Sequence, residues 1–90
     1  MRRRLRHALA MPFFLLQHRH TPAECAPAFA AWTGFRSPLR HGSAASTCLT
    51  GGHALWWRVQ AKDAATALAM LPLFVARRTV PIEVRDIEIP

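Results

Sequence analysis

The stretch Phe13-Phe14-Leu15-Leu16-Gln17-His18-Arg19-His20-Thr21-Pro22-Ala23-Glu24 carries an apolar strand straight into the start of a helix. Side chains alternate faces along a strand, so His18 and His20 project to the same side. Two metal-ligating or acid–base groups thus share a strand end. The helix start beside them is signalled by Thr21 as cap, Pro22 at the first helical position and Glu24 placed to close a capping box.

Downstream, Cys25, Phe29 and Trp32 recur at helical spacing and predict a helix ending before Gly34, kinked or started late by Pro27. Residues 33–44 read as a long loop holding Arg36, Arg40 and His41. Residues 45–50 and 54–60 read as two strands of a tight hairpin around Gly51-Gly52-His53. Asp63 caps a second helix along which Ala64, Leu68, Leu71 and Val75 repeat, with Pro72 bending it. Val80, Ile82 and Val84 then alternate with polar residues or proline before the pattern shifts to Ile87 and Ile89, which predicts a final strand with a break in register or a bulge.

Strand, helix, strand, strand, helix, strand is an α+β order. It predicts a ferredoxin-like βαββαβ domain, a four-stranded antiparallel sheet with both helices on one face. On the third strand Leu55, Trp57 and Val59 point one way and Trp56, Arg58 and Gln60 the other. Whichever set meets the helices, a tryptophan stays on the bare side, and exposed aromatic surface marks an interface. A homodimer joined sheet to sheet is the expectation.

In this element order, in the hairpin segment Thr50-Gly51-Gly52-His53-Ala54-Leu55-Trp56-Trp57 and in the Asp63-capped helix, residues 12–89 resemble the ferredoxin-like dimeric α/β-barrel proteins. Among them the chain is loosely similar to small DUF4242-type proteins, for which nickel binding has been proposed. The resemblance implies an architecture and a cleft between helices and sheet. It does not imply one reaction, because the superfamily includes monooxygenases, isomerases, haem-degrading enzymes and non-catalytic binders.

The 90 residues make one small domain, and 51% hydrophobic with 19% charged residues is the composition of a folded chain. The formal charge of +7 would suggest nucleic acid, but Arg2, Arg3, Arg4 and Arg6 supply four of those charges, leaving +3 for the rest. Residues 1–10 read as a disordered basic extension or as a mis-assigned start, with Met11 opening the domain that spans residues 11–90. Basic residues before Ala8–Leu16 imitate a secretory signal poorly, since Pro12 interrupts the apolar run and no small-residue cleavage site follows closely. No run of roughly twenty apolar residues exists to span a membrane, so cytoplasmic residence is expected. Cys25 and Cys48 form no C-x-x-C pair and read as free thiols, Cys25 on the helix's core stripe and Cys48 inside a strand.

Of five histidines, His18, His20, His41 and His53 lie within the domain. The first pair can share a divalent ion, nickel or zinc, with His41, His53 or Cys48 as further donors. Arg36 and Arg40, beside His41, form a second candidate site, for a small anion such as a carboxylate or phosphate. The alternative is a cofactor-independent enzyme of isomerase or monooxygenase type using one histidine as acid or base. There is no tyrosine, no nucleophile elbow and no glycine-rich phosphate loop to support it. Trp56 and Arg58 superficially suit base stacking, but the basic-aromatic motif of RNA-recognition modules is missing, so nucleic acid is disfavoured.

Overall fold

A computed structural model describes residues 11–90; the readings made of residues 1–10 lie outside it. Strand β1 (Phe13–Arg19) is hydrogen-bonded along both edges. On one side it pairs antiparallel with β3 (Ala54–Gln60), setting Leu16 opposite Trp57 and His18 opposite Leu55. On the other it pairs antiparallel with β4 (Thr79–Val84), where Leu16 faces Pro81 and His18 faces Thr79. The two-residue β2 (Ala45–Ser46) joins the outer edge of β3, so the order across the sheet is β2-β3-β1-β4. Pro81 lies on edge strand β4, where a missing N–H can be tolerated. Helices α1 (Cys25–Ala30), α2 (Ala64–Leu68) and α3 (Leu73–Ala76) complete an α+β architecture.

Period-two alternation sorts the sheet into two faces. Phe14, Leu16 and His18 of β1, with Leu55, Trp57 and Val59 of β3, are buried toward the helices. Ala67, Leu71 and Val75 join the same core. The opposite face carries Phe13, Leu15, Trp56, Val80 and Ile82, of which Val80 is 57% exposed and Phe13 and Ile82 are each 38% exposed. Trp57 is thus the buried member of the tryptophan pair. Trp56 lies across the bare face, its indole N–H donating to the Gln17 amide oxygen at 3.3 Å.

The first helix starts late, as Pro27 signals, and three other elements differ in detail from the sequence expectation. The first helix begins as a 3₁₀ turn at Pro22–Glu24 and becomes α-helical at Cys25, which leaves Pro27 in the first α turn, where its missing N–H costs no helical bond. Pro72 adopts an extended backbone (φ −58°, ψ 150°) and splits the second helical run into α2 and α3 instead of bending one helix. The hairpin is not tight: β2 ends at Ser46, and Cys48–Thr50 is a 3₁₀ turn, not strand. Strand β4 stops at Val84, and residues 85–90 have no regular structure, so Ile87 and Ile89 do not continue it past a bulge. Asp63 does cap α2, its carboxylate accepting the Thr66 N–H at 2.8 Å. Among the described residues no helix is long and apolar enough to cross a membrane.

Leu16 is fully buried between Trp57 and Pro81 on the helix-facing side of β1. Leu16→Ala should lower the unfolding free energy by about 2–5 kcal/mol, measured by urea denaturation with an unchanged slope. A loss below about 1 kcal/mol would place the core elsewhere.

Candidate metal centre

Where β1 ends, four side chains from separate segments converge. The ligand atoms of His20, Cys25, Cys48 and His53 all lie within 4.8 Å of one another. His20 directly follows β1, and its N–H donates to the His53 carbonyl at 3.1 Å, so backbone pairing sets the two imidazoles side by side with ring centroids 5.6 Å apart. Cys25 opens α1. The chain is turned back to it by Glu24, whose carboxylate accepts the Thr21 N–H and the Arg78 guanidinium, each at 2.9 Å. Cys48 opens the 3₁₀ turn between β2 and β3.

Cys48 and His53 meet because the loop between them is closed at its base. Thr47 and Ala54 exchange a backbone bond of 2.9 Å, the Ala54 N–H also donates to the Thr47 hydroxyl at 3.1 Å, and the Gly52 N–H donates to the Thr47 carbonyl at 2.7 Å. A Cβ on Gly52 would fall 2.3 Å from Thr47 Oγ1, so only glycine fits against that threonine. Gly51 and His53 both take positive φ, 91° and 52°. Glycine does this at little cost, but for histidine it is an uncommon conformation held by its surroundings. Here it aims the imidazole at the other three donors.

A hydrogen-bond relay behind the group sets its protonation. A carbonyl can only accept, so His18 Nδ1–H must donate to the Val75 carbonyl at 3.2 Å, with Thr79 Oγ1 also at 3.2 Å. In the neutral ring that leaves His18 Nε2 as an acceptor, and His20 Nδ1–H donates to it at 2.9 Å. His20 Nε2 is then an unprotonated lone pair, and it is this atom that lies 3.8 Å from Cys48 Sγ. Burial lowers the pKa of both His18 and His20 below 6.5, helped for His18 by the neighbouring His20 and for His20 by His53, although the Val75 carbonyl pulls His18 the other way. Neutral rings are the form that binds metal. His53 Nδ1 is buried with no hydrogen-bond partner, a feature that calls for a bound species.

Two imidazoles and two thiols that approach this closely could hold a metal ion. Zinc–ligand bonds of about 2.0–2.3 Å arranged tetrahedrally put donors about 3.3–3.8 Å apart, a contraction within reach of side-chain rotation. Of the histidines expected at the site, His20 and His53 are in the group. His18 stands directly behind it as the hydrogen-bond partner of His20, on the same sheet side as expected from alternation. His41 is exposed in the loop, with a positive φ of 68°, and is not a member. Arg40 lines a separate cavity and Arg36 does not.

Cys48, a further donor on the sequence reading although placed inside a strand, belongs to the group, and so does Cys25, whose spacing reads as a core stripe. The signal that finds them is a mirrored spacing, His20-x₄-Cys25 followed by Cys48-x₄-His53. It resembles no common zinc-finger spacing. Comparison with protein families, with curated proteins and with solved structures returned no match for this chain.

His18 and His20 bind protons more weakly folded than unfolded, so on acidification the unfolded chain takes up protons first and stability falls. In chelator-treated protein the melting temperature should therefore drop as pH is lowered through 6.5, before Glu24 and Asp63, whose carboxyls are held below 4.5 and 3.8, begin to contribute. A melting temperature that stays level from pH 7.5 to 5 would contradict neutral buried imidazoles.

Proposed function

We propose that the protein is a zinc-binding ferredoxin-like domain in which His20, Cys25, Cys48 and His53 hold one ion, and that it acts as a sheet-to-sheet homodimer. The observation that carries the metal reading is the convergence of four soft and borderline donors, one of them from His53, whose Nδ1 is buried without a hydrogen-bond partner. Mixed thiolate and imidazole donors suit tetrahedral zinc better than nickel, which favours square-planar nitrogen and oxygen sets. All four positions are supplied by the chain, which is the signature of a closed structural or regulatory site. His18 is the positioning residue: its bond to the Val75 carbonyl orients His20, as outer-shell partners of metal-bound histidines do.

The fold reading is supported by strand directions. β1 and β2 run parallel with β3 between them, and β3 and β4 run parallel with β1 between them, which are two interleaved split βαβ units. The dimer is supported by the bare face, where Phe13, Trp56, Val80 and Ile82 form an apolar patch. The enzyme alternative gains nothing from the cavity of about 360 Å³ beside the tetrad, which is lined by no imidazole and no carboxylate.

Metal analysis of the purified chain should find one zinc per chain, lost in Cys25→Ala, Cys48→Ala, His20→Ala and His53→Ala but kept in His41→Ala. His18→Ala should weaken zinc by about 10–100-fold without abolishing it. Protein that binds no zinc, or holds it equally well after Cys48→Ala and His53→Ala, overturns the reading. For the assembly, light scattering coupled to size exclusion should give the mass of a dimer, and Ile82→Lys or Trp56→Glu that of a monomer; a monomeric parent chain refutes the pairing.

A further inference from the structure

Next to the tetrad, between α1 and the β2–β3 side of the sheet, a cavity of about 360 Å³ opens to solvent. That is the size of a small-molecule site, typically about 300–1,000 Å³. Its walls are aromatic: Trp32 and Trp57 lie with ring centroids 5.8 Å apart, and Phe29 stands 50% exposed on the facing side. A single cation, Arg40, stands among these walls.

No acid of the chain answers that charge. Of the five acidic residues, Glu24 pairs with Arg78, Asp86 pairs with Arg58 and Asp63 caps α2. The other two, Glu83 and Glu88, lie on β4 and in the segment after it, and β4 is the edge of the sheet opposite β2. The loop that carries Arg40 is already anchored. Ser37 Oγ donates to the Met70 carbonyl at 2.6 Å and accepts the Leu39 N–H at 3.1 Å, and the Arg40 and Gly42 N–H groups each close a turn at 3.2 Å. A ligand would meet a formed rim and would not have to order it.

The geometry points to a binding site for a small planar aromatic carboxylate, its ring system held among Trp32, Trp57 and Phe29 and its carboxylate bound by the Arg40 guanidinium. Aromatic walls select a flat apolar body. One uncompensated guanidinium matches one monoanion, and its fork fits a carboxylate in bidentate fashion. The Ser43 side chain, also on the lining, offers a further donor to that group. The site stands independently of the zinc reading, since none of the four tetrad residues lines the cavity.

The probe pair is naphthalene-2-carboxylate and its neutral isostere naphthalene-2-carboxamide, titrated into the full chain and read by tryptophan fluorescence and by amide shifts in NMR. The carboxylate should bind at least about tenfold more tightly, as a charge-assisted pair requires. Arg40→Gln should bring the two probes to equal affinity, whereas Arg40→Lys should keep part of the preference and Arg36→Gln all of it. Amide shifts should centre on residues 29–46 and on Leu55 and Trp57. Equal affinity for both probes in the parent chain, no binding of the carboxylate up to about 1 mM, or a preference that survives Arg40→Gln overturns the proposal. A cooperative thermal melt for each variant ensures that a lost preference reports the missing guanidinium and not a lost fold.

Discussion

Strand β1 carries a single buried row, and that row serves two purposes in succession. Phe14 and Leu16 are core, and two residues on, along the same face, His18 and His20 are the backing and the first donor of the polar centre. Because β1 is paired on both edges, its register is held by β3 and β4 together. A slip of one residue would expose Leu16 and turn both histidines to the bare face in the same movement. Fold and site are therefore one constraint, and neither can drift without the other.

The relay from the Val75 carbonyl through His18 to His20 extends that constraint to the helical layer. Val75 belongs to α3, so the tautomer of a sheet histidine is decided by where a short helix ends. Burial would ordinarily make two adjacent imidazoles costly, yet each ring nitrogen along the line has a partner until the last one, which faces the thiols. Thr79, whose hydroxyl donates to the same carbonyl at 2.7 Å, ties β4 into the relay as well. The centre is thus held by β1, α3 and β4 from behind and by two turns in front.

Much of this was legible in the residues. Alternation placed His18 and His20 together, Asp63 announced its helix, and the Trp56-Trp57 pair announced a bare face with one ring on it. What was not legible depended on three-dimensional closure. Cys25 has the spacing of a core stripe, and only the 3₁₀ turn drawn in by Glu24 swings it toward His20. Cys48 sits in a stretch of strand-like composition, and the Thr47 clamp that curls it into a turn is formed with Ala54, seven residues away. Pro72 signalled a bend; its extended backbone, which the tertiary packing selects, made a break instead.

Glycine at position 52 has a kinetic corollary. Because hydrogen bonding and steric exclusion at Thr47 dictate the path from Cys48 to His53, the chain's own packing brings these two donors together. Many small metallodomains are unfolded until they are loaded, so their uptake is limited by the search of a whole chain. On the zinc reading proposed above, capture would need no such search, only diffusion and the departure of thiol protons and hydration waters. A centre built in this way would exchange an ion without unravelling its scaffold.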